Sequence, residues 1–262
     1  MIDCHYLIFM RILLIQIRQD AILQHEYKAI MEKMQLRSSE LISWNIFMSL
    51  TPPEPIETFQ AILIGGSGAY CVSLWNIPQE LEAITQVVRI AYARGIPVLG
   101  ICFGCHLLAH IFGGEVQMDS FRQEVGTFEI TSTTIATSDT LFSQLPKKFW
   151  AQEGHKDHVV RLPKGAIHLA SSALSKYQAF RLSEGCLYGV QFHPELSKQD
   201  VLVRYQMYHQ DYQKNQHDGF VSDAGSSDGQ NDLNSLAMGI CEAPDAERFL
   251  LLFKKNIGKK FF

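Results

Sequence analysis

Pro97 to His106, read P-V-L-G-I-C-F-G-C-H, places a cysteine between two glycines where a buried apolar run gives way to helical spacing. Val98, Leu99 and Ile101 read as the end of a core strand, while Leu107, Leu108, Ile111 and Phe112 recur at helical intervals. Cys102 therefore sits on the corner. A side chain forced into such an elbow is tolerated when its close neighbours lack side chains, and Gly100 and Gly104, two residues to either side, meet that demand. Unpaired N–H groups at a helix N-terminus favour negative charge, so the spacing points to a nucleophilic thiol. The same letters spell C-x-x-C-H, a pattern of covalent haem attachment, and contain the C-x-x-C of dithiol oxidoreductases. Haem attachment requires export, and Met1 to Arg18 lacks a basic n-region and a small-x-small cleavage site. A dithiol leaves the paired glycines unexplained. A structural cysteine in a glycine-containing turn is the remaining alternative.

A second motif bears on that choice. Gly189-Val190-Gln191-Phe192-His193-Pro194-Glu195 reads as a core strand ending in a histidine and a carboxylate two positions apart. In an extended chain those two point to one side, and Pro194, which has no N–H for a ladder, marks the strand's end at the sheet rim. His193 is then placed to take a proton from Cys102, with Glu195 orienting the imidazole and stabilising its cation.

The hydrophobic pattern alternates between strand and helix. Arg11–Ile17, Leu41–Ile46 and Gln60–Gly65 read as strands and Ala21–Leu36 as an amphipathic helix; a further helix, Pro78–Arg94, stops at Gly95 and Pro97 before the Val98 strand. Such alternation implies a parallel sheet covered by helices on both faces, with sites beyond the carboxyl ends of the strands. After residue 114 strand-rich segments follow near 125–137, 166–174, 177–182 and 186–193. Gln199–Gln213 reads as a helix, 214–236 as a flexible loop, and Ala243-Pro244-Asp245 opens a final helix, 243–258, that docks back through Phe249, Leu250 and Phe253. Residues 1–9 read as an extension, and 10–262 as a single domain.

On these motifs the chain resembles the class I glutamine amidotransferases, whose cysteine lies in G-x-C-x-G-x-Q and whose histidine and glutamate lie in H-P-E. The resemblance covers about residues 10 to 197. It implies an α/β, flavodoxin-like fold, a mostly parallel central sheet with added antiparallel strands, and a Cys102-His193-Glu195 triad. Ala61 to Gly68 looks like the family's oxyanion strand and loop, implying N–H donors at Gly66 and Phe103. Glu124-Val125-Gly126 and His155-Lys156-Asp157-His158-Val159 look similar to segments of stand-alone, GMP-synthase-like members. By the same resemblance Gly65, His106, Glu124 and His155 are the expected substrate-side residues. The family's Gln is His106 here, which puts free glutamine as the substrate in question.

The implied activity is cysteine-dependent hydrolysis of glutamine or another γ-glutamyl compound through a γ-glutamyl thioester. The chain carries no ATP-binding motif, so either a separate synthetase subunit receives the ammonia or the protein is a stand-alone γ-glutamyl hydrolase or peptidase. The alternatives are a regulatory or binding module on a decayed scaffold and a C-x-x-C redox protein. No cofactor and no metal are expected. A net charge of −4 gives no basic footprint for nucleic acid, and no uninterrupted apolar run suits a membrane span. Six cysteines, at 4, 71, 102, 105, 186 and 241, are unlike a disulfide framework, and a reducing cytoplasm is the expected compartment.

Overall fold

Short apolar runs bounded by Gly, Pro or polar residues form the middle of the sheet. The computed structural model describes residues 10–182, 186–215 and 239–257. Strands β1 (Ile12–Gln16), β2 (Leu41–Asn45), β3 (Ala61–Ile64), β4 (Val98–Ile101) and β11 (Leu187–Val190) run parallel in the order β2-β1-β3-β4-β11. The sheet continues antiparallel through β10 (Ala179–Leu182), β9 (Ala166–Ser171), β6 (Glu124–Ser132) and β7 (Lys148–His155). Strands β5 (Glu115–Met118) and β8 (Asp157–Arg161) pair separately.

Burial on both faces explains why β1 is apolar without alternation. Ile12 and Leu14 pack in one core with residues of α1 (Ile22–Lys33) and α5 (Pro244–Asn256). Leu13 and Ile15 pack in the other, with α2 (Pro78–Arg94) and α3 (Phe103–Ile111). Pro78 starts α2, where its missing N–H costs nothing, and Gly95 ends it at φ 67°, donating to the carbonyls of Ala91 and Tyr92. Helix α4 (Lys198–Asn215) follows β11, and α5 docks through Phe249, whose ring lies 5.3 Å from Phe142 and 5.9 Å from Phe192. Among the described residues no helix is long and apolar enough to cross a membrane.

Strands β5, β7 and β8 lie outside the segments that the sequence pattern reads as strands. β7 carries charged and glycine residues on a half-covered edge, so Trp150 is exposed while Phe149 and Ala151 are buried. The 186–193 strand also ends earlier than predicted, at Val190. Residues 1–9, and 214–236 apart from its first two residues in α4, lie outside the described residues.

Candidate active site

β4 and β11 are neighbours in register, Ile101 opposite Val190, so the chain leaves both at one level of the sheet. Cys102 follows the first, and its N–H donates to the Val190 carbonyl at 2.9 Å. It caps α3 with φ 50° and ψ −103°, a left-handed backbone that costs about 1 to 3 kcal/mol for a residue with a Cβ. The flanking glycines make that turn sterically possible. A Cβ at Gly100 would overlap the carbonyl of Gly104, and one at Gly104 would overlap the Ile64 carbonyl oxygen.

His193 and Glu195 meet as expected, though not by strand geometry. The segment after Val190 turns, with Leu196 N–H donating to the His193 carbonyl (3.2 Å) and His193 N–H donating to Gln152 O (2.8 Å). Within that turn His193 Nδ1 lies 2.8 Å from Glu195 Oε1. Cys102 and His193 converge at Gly66, where a Cβ would stand 3.7 Å from Cys102 Cβ and 3.1 Å from His193 Cε1. On the β7 side, the Cys102 thiol makes a long contact, 3.9 Å, with the Gly154 carbonyl. Both side chains are nearly enclosed, at 3% and 5% exposure.

Arg204, from α4, adds a partner that the sequence pattern does not flag: its Nη1 lies 3.1 Å from Glu195 Oε1. Burial alone would raise the Glu195 carboxyl, but the charges of His193 and Arg204 and the His193 hydrogen bond outweigh it and hold the group at about 2. The folded value lies below the ordinary 4.5, so this stabilisation is present above pH 4.5 and is lost as pH falls toward 2. Its size is about 3 kcal/mol. Denaturant titrations of wild type and Glu195→Gln at each pH should therefore converge by about that amount between pH 4.5 and pH 2. A constant difference would remove Glu195 from an ionised cluster.

Burial, followed by the charges of Glu153 and Glu195, pushes the Cys102 thiol up, while Arg18 and the Phe103 N–H act the other way. The resting group is a thiol. Arg18 belongs to a second buried pair: its Nε lies 3.0 Å from Glu26 Oε1, with the two side chains 2% and 0% exposed. Glu26 falls on the apolar face of α1 beside Ile22, Ala29 and Ile30, and a carboxylate at that helical position is the one sequence signal for this pair.

Glu26 also bears on the expected oxyanion donors. The Phe103 N–H interacts with the Cys102 sulfur, whereas Gly66 N–H donates to Glu26 Oε1 at 3.2 Å. The physical reason is that Glu26 is fully buried and must collect donors, and Gln16 Nε2 is another of them at 3.0 Å. Gly65 faces the same carboxylate, 2.8 Å from where its Cβ would lie.

The other expected substrate-side residues are also buried. His106 Nε2 is bonded to Gln191 Oε1 at 2.6 Å, and burial lowers its imidazole to about 4, so the ring is neutral above that pH and donates to Gln191. Glu124 and His155 pair with each other at 3.0 Å. Cys102 and Cys105 are free thiols; Cys105 is fully buried against Gly189 and Phe180.

Residues 32–202 match the family model described as glutamine amidotransferase class-I. The chain is 31% identical over 159 residues to a GMP synthase (glutamine-hydrolyzing) subunit of Methanocaldococcus jannaschii, covering 60% of this chain and 77% of that protein. Against the same-named protein of Sulfolobus acidocaldarius it is 35% identical over 152 residues, covering 57% and 76%. A solved glutamine amidotransferase from Thermotoga maritima superposes with a TM-score of 0.70 over 96% of this chain and 99% of that one, at 17% identity. That last similarity is one of fold.

Proposed function

Since the chain belongs to the class I glutamine amidotransferases, with GMP synthase subunits among its relatives, we propose that it cleaves a γ-glutamyl amide through a thioester on Cys102. The substrate is glutamine or another γ-glutamyl compound. The observation that carries this reading is the left-handed Cys102 elbow, converging with His193 on one point while Glu195 and Arg204 back the imidazole.

The reaction starts from a protonated sulfur, so proton removal and attack belong to one step. His193 Nε2 takes the thiol proton as Sγ bonds to the γ-carbonyl carbon, and Glu195 stabilises the imidazolium through Nδ1. Charge develops on the carbonyl oxygen. Phe103 N–H is one donor for it, and Gly66 N–H becomes the second when it releases Glu26; each is worth about 3 to 4 kcal/mol in sites of this kind. Collapse breaks the C–N bond, with His193 returning its proton to the departing ammonia or amine. Water, deprotonated by the same imidazole, then cleaves the thioester to give a γ-carboxylate and the free thiol.

His106 donates to Gln191 and is held neutral, so in this reading it shapes the pocket from behind rather than by an ionic contact with the substrate. Relatives named as subunits of GMP synthase support delivery of the released ammonia to a separate synthetase subunit.

The test is intact mass after exposure to 6-diazo-5-oxo-L-norleucine, an electrophile of glutamine shape, with peptide mapping and Cys102→Ala as control. One adduct per chain, confined to Cys102, is the expected result. Absence of an adduct while a small alkylating agent still modifies Cys102 would exclude a glutamine-shaped pocket. Labelling at other cysteines alone would exclude the Cys102 nucleophile.

A further inference from the structure

Glu124, Glu153 and His155 form a cluster that the proposed hydrolysis does not use. Glu124 on β6 and His155 on β7 are register partners, and Glu153, two residues earlier on β7, shares the face of His155. All three side chains are 0% exposed, and one ligand atom from each lies within 4.8 Å of the other two. Gln178, itself fully buried, reaches in and donates from Nε2 to Glu124 Oε2 at 2.6 Å.

The cluster is rich in acceptors and short of donors. Glu124 Oε1, both oxygens of Glu153 and Gln178 Oε1 have no hydrogen-bond partner among the described residues. His155 Nδ1 donates to the Asp157 carbonyl at 2.9 Å, so Nε2 is the ring atom turned toward the cluster. That nitrogen lies 3.0 Å from Glu124 Oε2 and 3.7 Å from Glu153 Oε2. Two buried carboxyl groups and an imidazole nitrogen thus converge on one point, with three of the four carboxyl oxygens left without a hydrogen-bond partner among the described residues.

We propose that Glu124, Glu153 and His155 bind a divalent cation of the zinc class. Two carboxylate oxygens and one imidazole nitrogen are a donor set suited to zinc, with a further position for Gln178 Oε1 or water. The surrounding contacts are those that orient metal ligands: a backbone carbonyl fixes the tautomer of His155, and an amide holds Glu124. The ion ties β6 to β7 one residue away from Gly154, whose carbonyl faces Cys102. Its role is structural support of that wall of the active site.

The experiment takes the full chain, stripped with chelator, and titrates it with Zn2+ by calorimetry and thermal denaturation, using Co2+ as the optical probe. One ion per chain is expected, with a midpoint raised by about 5 °C or more at a hundredfold excess over Kd. The Co2+ spectrum should show ligand-field bands without thiolate charge transfer. Glu153→Gln, which keeps shape and hydrogen-bonding capacity, should fold and bind Zn2+ at least about a hundredfold more weakly. Equal binding by wild type and Glu153→Gln, no binding by a folded wild type, or a thiolate-dominated Co2+ spectrum would each overturn the assignment.

Discussion

Replacing Cys102 by alanine should reduce turnover on the order of 10⁴-fold or more, because in the proposed reaction its sulfur forms the covalent intermediate. Stability should change by no more than about 1 kcal/mol. The side chain is small, its one polar contact is the long approach to Gly154, and alanine bears the φ of 50° at the same cost as cysteine. Turnover and denaturation midpoint, measured on the same preparation, separate chemistry from folding. A variant that folds and keeps more than about a hundredth of wild-type turnover would disprove covalent catalysis at this residue.

Gly104→Ala should destabilise the protein by about 3 kcal/mol or more and abolish activity with it. The added methyl would overlap the Ile64 carbonyl oxygen and stand 2.8 Å from Ile64 Cβ. Neither neighbour can yield. Ile64 ends a strand bonded on one side to β1 and on the other to β4, and moving it would break the ladder that brings the glycine loop to Cys102. Gly95→Ala is the control, because Gly95 has φ 67° and nothing within 4 Å of its Cβ position. It should cost only about 1 to 2 kcal/mol, the intrinsic penalty of the left-handed region. Equal losses in guanidinium unfolding would mean that the packing argument for the elbow fails.

Much of the site was legible because the constraints that create it are local. A cysteine on a strand-to-helix corner needs its two glycines within four residues of chain, and the overlaps at Gly100 and Gly104 are that requirement in three dimensions. The His193 and Glu195 contact was legible for a different reason than the one that produces it. Two residues apart, they can meet in an extended strand or in a turn, and here the turn closed by Leu196 brings them together.

Other parts had no local signature. Strand β7 alternates exposed and buried residues but interrupts them with Gln152, Glu153 and Gly154, because its end serves the site and the acidic cluster rather than the core. Arg204 sits in a largely polar helix whose sequence says nothing of Glu195. Gly66 looks like a free donor in a glycine-rich loop, yet Glu26, forty residues earlier, accepts its N–H.

The sequence by itself determined the parallel core, the elbow and the identity of the three residues that converge there, since steric exclusion and hydrophobic periodicity act over a few neighbouring residues. Tertiary structure alone decided which charges face them. Burial removes water as a partner, so each ionised group must find another from wherever the fold brings one close. Glu195 finds Arg204, and Glu26 finds Arg18 and the Gly66 N–H, through contacts between elements distant in the chain.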